Sequence, residues 1–223
     1  MCPTVADAAR AAYHCGMMTL DQIARLKITL DAVKPAVMRR VEVPLAIKLS
    51  DLHVVIQVTM PWWNDHPYEF RVRDINRRYI SWGIPVPEWD FADSLIDASK
   101  TTLLDVLEDT GTKSLKYMCG FCNSWEHTVK VERIAAPEHW NAYPRLLAAQ
   151  RRCPPEDVGG PSGYAGYLEA MVDAGHERHA EMIAWRGRDF DAEIVDATTI
   201  EKELAKLTKR WSRRKPKASR KLI

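Results

Sequence analysis

Residues 152–164 impose the most specific backbone constraint in this chain. The segment reads RCPPEDVGGPSGY, with prolines at 154 and 155 and glycines at 159, 160 and 163. Proline fixes φ and glycine admits conformations that other residues avoid, so this composition predicts an ordered, irregular loop. We expect the loop to pack on a sheet near Trp125. Its side chains of chemical interest are Cys153, Glu156, Asp157 and Tyr164. The two carboxylates are expected to accept hydrogen bonds from nearby amides rather than to act in catalysis.

Hydrophobic periodicity predicts an α+β fold. Strands are predicted where apolar and polar residues alternate, at 25–30, 37–43, 68–72, 115–119 and 125–134. Helices are predicted where apolar residues recur every three or four positions, at 50–60, 103–107, 164–174, 176–185 and 199–209. Ser50 and Thr102 are expected to cap the first two helices. The stretches 74–97 and 137–163 are predicted to be largely irregular.

The composition is that of a soluble protein. Hydrophobic residues make up 46% of the 223 residues and charged residues 28%. The sequence has no apolar run of about 18 residues and no secretory signal pattern at its start, so we expect no membrane contact. The cysteine count of five is odd, which favours reduced thiols and a cytoplasmic location over a disulfide framework.

The C-terminus is strongly basic although the net charge of the chain is only +2. Its last fifteen residues contain no acid and eight cations: Lys209, Arg210, Arg213, Arg214, Lys215, Lys217, Arg220 and Lys221. Such a segment indicates an anionic partner, either nucleic acid or an acidic protein surface, or it is a solvated terminus without a partner. We expect residues 208–223 to be a disordered tail, because like charges repel and Pro216 interrupts a helix.

Two sets of residues could carry chemistry. The first combines imidazole and carboxylate groups that suit acid–base catalysis or cation binding, namely His66, Glu69, His127 and Glu132. We expect His66, Glu69 and His127 to meet on one face of the sheet; a purely structural polar network is the alternative. The second set is the C-x-x-C pair, Cys119 and Cys122. Zinc requires four ligands, so structural thiols are expected here, and no metal or cofactor is expected in the protein.

Seven segments resemble, in the same order, motifs of the Ri-plasmid ORF-three-like family, also called insertion-element passenger proteins. The segments are 35–44, 49–62, 66–70, 99–107, 125–132, 152–164 and 176–191. The most specific is 152–164, which is similar to R-x-C-P-P-E-D-C-G-G-P-x-G-Y, and residues 66–70 are similar to H-x-H-E-F. The resemblance implies an α+β roll in which a mixed or antiparallel sheet carries helices on one face, followed by a helical C-terminal segment. It places an extension at 1–22, the domain at 23–207 and the basic tail at 208–223.

The chain departs from this family pattern at chemically important positions. The family has Y-x-Y-D-F-G-D-x-W where this chain has residues 117–125, so its two aspartates are replaced by Gly120 and Asn123. The second histidine of H-x-H is Tyr68, and a loop cysteine is Val158. A family site that depends on those groups is therefore incomplete here.

The motifs that would identify common enzymes are absent from the sequence. It has no P-loop, no dinucleotide-binding G-x-G-x-x-G and no G-x-S-x-G nucleophile motif. Together with the basic C-terminus, this favours a non-enzymatic accessory or binding protein of mobile or plasmid DNA that contacts nucleic acid or a protein partner. The alternative is a small metal-dependent hydrolase that uses the His/Glu set.

Overall fold

The computed structural model describes residues 21–73, 78–85, 95–120, 125–188 and 190–214, with the side chain of Arg214 left out. Most of the expected N-terminal extension, Cys122, Asn123 and the tail beyond residue 214 lie outside the described residues. Within them, the chain forms one mixed sheet and five helices, which confirms the predicted α+β class.

Eight strands form the described sheet, in the order β5-β4-β3-β6-β7-β1-β2-β8. Their bounds are β1 Ile23–Leu30, β2 Met38–Pro44, β3 Tyr68–Arg73, β4 Tyr79–Gly83, β5 Ile96–Asp97, β6 Ser114–Cys119, β7 Trp125–Ala135 and β8 Arg145–Gln150. All neighbours pair antiparallel except β4 and β5, which are parallel. The predicted hairpin of β1 with β2 and the predicted pair of β6 with β7 are both present.

Side-chain alternation divides the sheet into an apolar and a polar face. In β1, Leu26, Ile28 and Leu30 are buried, whereas the residues between them are half-exposed. The register of the central strands aligns Phe70 with Tyr117 and Tyr117 with His127 on the buried face. The opposite face carries cross-strand ion pairs, including Arg40 with Glu132. Helices pack on the apolar face, and most side chains of the polar face within the described residues are partly or fully exposed.

The helices are α1 Leu49–Thr59, α2 Leu103–Thr110, α3 Gly160–Val172, α4 His179–Arg186 and α5 Ala197–Arg214. Thr102 caps α2 as predicted, in a reciprocal capping box with Asp105. The prediction that Ser50 caps α1 is wrong, because α1 begins one residue earlier and its N-cap is Lys48. The amides of Leu49 and Ser50 instead donate to backbone carbonyls of the 98–101 segment, which makes a side-chain cap unnecessary.

Two other predictions are corrected by the structure. The stretch 74–97, predicted to be irregular, contains β4 and β5. The stretch 137–163 is largely irregular as predicted, apart from β8 and the first turn of α3. Helix α5 continues through Lys209 to Arg214, so the expected disordered tail cannot begin at residue 208. Its apolar stripe explains the extension: Leu204 and Leu207 are buried, and Trp211, one turn further on, still packs against the core.

Arg39 connects the start of the 152–164 loop to the rest of the fold through hydrogen bonds. Its side chain is only 1% exposed on β2. The guanidinium Nε donates to the carbonyl of Thr59, at 2.7 Å, at the end of α1. Its Nη1 lies 2.8–3.0 Å from the carbonyl oxygens of Met38, Gln150 and Arg151. One buried cation thus connects α1, β2 and the end of β8, from which the loop departs.

Candidate functional site

Three loops converge at one end of the central strands. They are residues 60–67 between α1 and β3, Gly120 immediately after β6, and residues 151–159 between β8 and α3. The indole of Trp62 donates to the Pro154 carbonyl at 3.1 Å, and the Gly120 amide donates to the Pro67 carbonyl at 3.1 Å. Trp62 also lies against Trp125, with ring centroids 5.9 Å apart. The 152–164 segment is therefore joined through Trp62 to the sheet near Trp125, as the sequence predicts.

His66 lies at this convergence with carboxylates on three sides. Its Nε2 atom is 3.5 Å from Asp65 Oδ1, 3.7 Å from Glu156 Oε1 and 3.8 Å from Asp157 Oδ1. None of these contacts is short enough for a good hydrogen bond. Nε2 is shielded from solvent and has no hydrogen-bond partner among the described residues. Asp65, His66, Glu156 and Asp157 are called the His66 cluster below.

Glu156 is the buried member of the His66 cluster. Its side chain is 8% exposed, compared with 33% for His66, 59% for Asp65 and 54% for Asp157. Its Oε2 accepts a 2.8 Å hydrogen bond from the Trp63 amide, so the carboxylate is fixed with Oε1 towards His66. Burial raises the pKa of Glu156; the negative charge of Asp65 adds to the rise, and the Trp63 amide opposes it. A cation beside Glu156 would relieve this unfavourable charge.

Gly120 lies directly beside the His66 ring. A Cβ atom built on Gly120 would lie 3.7 Å from His66 Cγ, in ordinary van der Waals contact. An aspartate at this position, as in the family pattern, would therefore stand next to the imidazole. Gly120 has a φ of +67°, a conformation that aspartate and asparagine tolerate better than most residues. The structure thus places one departure from the family pattern directly at the His66 cluster.

The structure does not bring the four predicted catalytic candidates together. Glu69 lies opposite Met118 in the sheet, and Met118 lies opposite Glu126. Residues opposite one another share a face, so the Glu69 side chain is on the polar face, where it accepts two 3.0 Å hydrogen bonds from Arg71. His127 points to the apolar face. Glu132 forms a two-bond ion pair with Arg40, far along β7. The expectation that His66, Glu69 and His127 share one face is wrong, because Glu69 and His127 project from opposite sides of the sheet.

His127 is fully buried among aromatic rings. Its ring centroid lies 5.4 Å from that of Trp62 and 5.2 Å from that of Tyr117. Neither ring nitrogen has a well-formed hydrogen bond among the described residues, although backbone groups of Tyr117 and Trp125 lie close enough to favour the protonated form slightly. Burial dominates and lowers the pKa of His127 to about 4. His127 is therefore a neutral core residue at physiological pH.

A buried polar network lies next to His127. The Gln57 side-chain amide donates to the Tyr117 hydroxyl at 2.9 Å and to Cys119 Sγ at 3.3 Å. His53 Nδ1 lies 2.8 Å from the same hydroxyl, and its ring stacks on Tyr68. Burial lowers the pKa of His53 to about 4. These contacts fix the apolar face of β6 just before the chain reaches Gly120.

Both cysteines within the described residues are free and buried. Burial raises the pKa of Cys119 and of Cys153, which makes both thiols poor nucleophiles. Cys153 contacts Met60 through sulfur at 3.7 Å, and Tyr164 packs against Phe190. Cys122, the other half of the C-x-x-C pair, lies outside the described residues.

Sequence reasoning missed Asp65 and treated His66 and Glu156 as members of separate motifs. The sequence did contain one indication of this site: each motif has an adjacent pair of residues of types that commonly bind metals, Asp65-His66 in one and Glu156-Asp157 in the other. Ninety residues of sequence separate the two pairs, and only the fold shows that they meet. The expected role of Glu156 as an acceptor for backbone amides is correct, but its donor is Trp63 in another loop.

The C-terminal half of α5 presents a second feature of functional interest. Lys209, Arg210 and Arg213 are exposed, while the opposite side of the helix packs on the core. No acid follows Glu203 in the sequence. Residues 209–214 of α5, with the basic residues 215–221 that follow in sequence, are called the basic end of α5. No helix in the described ranges is long and apolar enough to span a membrane.

Comparisons with known proteins agree with this fold. A family model described as plasmid pRiA4b ORF-3-like protein matches residues 22–199. The uncharacterized protein y4hQ of Sinorhizobium fredii (strain NBRC 101917 / NGR234) is 46% identical over 193 residues, which cover 86% of this chain and 95% of that protein. The crystal structure of MM3350, a protein of unknown function from Methanosarcina mazei Go1, is similar with a TM-score of 0.73 and 30% identity. That match covers 81% of this chain and 98% of MM3350.

Proposed function

This chain belongs to the plasmid pRiA4b ORF-3-like family, and from that premise we propose that it is a non-enzymatic accessory protein of mobile or plasmid DNA that binds nucleic acid. The binding element in this proposal is the basic end of α5. The observation that carries it is the exposure of Lys209, Arg210 and Arg213 on a helix whose other side is fixed to the core by Leu204 and Leu207.

The charge distribution supports contact with phosphates. Cations near a helix C-terminus also stabilise the helix dipole, but that effect is confined to the last turn. Here the basic residues continue in the sequence for seven residues after Arg214, with Lys215, Lys217, Arg220 and Lys221. Each phosphate neutralised by such a residue releases counterions, so affinity depends steeply on salt and little on base sequence. A protein that binds the same element would need an acidic surface.

The test compares two variants that carry the same change in net charge. One replaces Lys209, Arg210 and Arg213 with glutamine; the matched control replaces Lys34, Lys48 and Lys130, which are exposed elsewhere. Binding of labelled single-stranded DNA, duplex DNA and RNA is measured by anisotropy at several salt concentrations. We expect the first variant to weaken binding and to reduce the slope of log K against log salt by about 2 to 3.

The control variant should keep the wild-type slope. Equal loss of affinity in the two variants would mean that net charge, rather than the basic end of α5, determines binding. Absence of binding by the wild-type chain at low salt would overturn the proposal. A version ending at Arg214 then separates the helix from the residues that follow it without removing Trp211 from the core.

A further inference from the structure

We propose that Asp65, His66 and Glu156 form a binding site for a divalent cation, with Asp157 as an additional oxygen donor. One ligand atom from each of the first three residues lies within 4.8 Å of the other two. Two atoms that bind the same cation at about 2.1 Å lie about 3–4 Å apart. The distances of 3.5, 3.7 and 3.8 Å from His66 Nε2 to the three carboxylates fall in that range.

The hydrogen bonding of the cluster leaves its inward atoms without strong partners. His66 Nε2 is out of contact with solvent and has no hydrogen bond within the described part of the chain. Glu156, more than nine-tenths buried, uses Oε2 for the Trp63 amide and directs Oε1 at His66 without a hydrogen bond to it. Buried polar atoms are normally paired, so this arrangement suits a partner that sits between the groups.

The charges of the cluster favour a cation as that partner. Three carboxylates surround one imidazole, so acidic groups outnumber the basic one in the cluster. A divalent ion would satisfy Nε2 and the carboxylates together.

The surrounding loops hold the ligands in place before an ion arrives. Trp62 and Trp63 connect the 60–67 loop to Pro154 and Glu156, and the Arg186 side chain donates to the Glu156 carbonyl at 2.8 Å. Asp65 and Asp157 are more than half exposed, which leaves a route from solvent. Because one ligand is imidazole nitrogen and the others are carboxylate oxygens, the site suits Mn²⁺ or Zn²⁺ better than Mg²⁺ or Ca²⁺.

The test measures cation binding by calorimetry with the full chain, prepared without a polyhistidine tag and treated with chelator. MnCl2 and ZnCl2 are titrated, with MgCl2 and CaCl2 for comparison. We expect saturable binding of one Mn²⁺ or Zn²⁺, weakened at least tenfold by Glu156→Gln, His66→Gln and Asp65→Asn. The matched control, His139→Gln with Glu177→Gln, changes exposed residues of the same types and should bind as the wild type does.

A second pair of variants separates loss of the ligands from loss of folding, since a site variant that fails to fold would also fail to bind the cation. Gly120→Asp adds a carboxylate beside His66, whereas Gly120→Asn adds an amide of the same shape with the same backbone strain. Gly120→Asp should bind the cation at least tenfold more tightly than Gly120→Asn. The proposal is overturned if the wild type shows no saturable binding up to 1 mM cation, a concentration on the order of the weakest protein sites. It is also overturned if site and control variants bind equally.

Discussion

Replacement of Arg39 by methionine should destabilise the protein strongly, although methionine keeps an unbranched apolar side chain and suits a buried position. The guanidinium contacts the carbonyls of Thr59, Met38, Gln150 and Arg151, and it is 1% exposed. Nε and Nη1 together carry three protons, so at most three of these four contacts can be full hydrogen bonds at one time. Removal of the side chain takes the donor from the buried contact at Thr59 and from three part-buried contacts at Met38, Gln150 and Arg151.

The size of the effect follows from two opposing contributions. Each buried carbonyl that loses its donor costs about 1–3 kcal/mol. Burial lowers the pKa of Arg39, which shows that the fold holds this cation at a desolvation cost that the substitution removes. The partners are neutral carbonyls, so no unpaired charge is left behind. Hydrogen bonds to a charged group contribute about 1.5–3 kcal/mol each, and after the desolvation cost is subtracted we expect a net loss of about 4 kcal/mol. For a chain of this size that corresponds to a Tm lower by about 8–16 °C.

Arg40 provides the matched control, since it is the next residue on β2 and projects to the opposite, polar face. Its partner is Glu132 in a half-exposed ion pair. Arg40→Met should change the Tm by about 2 °C or less, because exposed ion pairs contribute little. Thermal denaturation followed by circular dichroism measures the Tm of the wild type and both variants, and urea denaturation measures the difference in free energy of unfolding. If Arg39→Met is no less stable than Arg40→Met, the stabilising role assigned to the hydrogen bonds of Arg39 is refuted.

Two further measurements test the interior of the fold. Because burial holds the pKa of His53 and of His127 at about 4, while an unfolded histidine titrates near 6.5, both contribute stability above pH 6.5 that is lost as pH falls towards 4. Lowering the pH from 7 to 5 should therefore cost roughly 2 kcal/mol for each histidine in urea unfolding, and His127→Phe should remove about half of that dependence; a stability that is flat over this range would contradict their burial as neutral groups. Cys119 and Cys153 should resist alkylation by iodoacetamide in the native protein and react in urea, because burial raises both thiol pKa values. Peptide mass spectrometry reports each site, and rapid labelling of either residue under native conditions would show that the core there opens.

Local patterns in the sequence determined the strands that pair with a neighbour in the chain. Alternating side chains in β1 and β2, and again in β6 and β7, are sufficient to identify both pairs, since each strand needs only a short turn to reach its partner. The same alternation correctly places Trp125 and His127 on one face. The start of helix α2 was also determined by local sequence, because Thr102 and Asp105 form its capping box within one turn.

Tertiary structure decided those features that depend on contacts between distant parts of the chain. Strand β8 has no alternation of its own and is held by pairing with β2, about a hundred residues earlier. The face of Glu69 depends on the register of β3 with β6, and a shift of one residue would reverse it. His66 and Glu156 meet because two loops leave the same end of the fold, held by Trp62 and Arg39. The sequence supplies the metal-binding types of side chain, but the distances between them arise only from long-range packing.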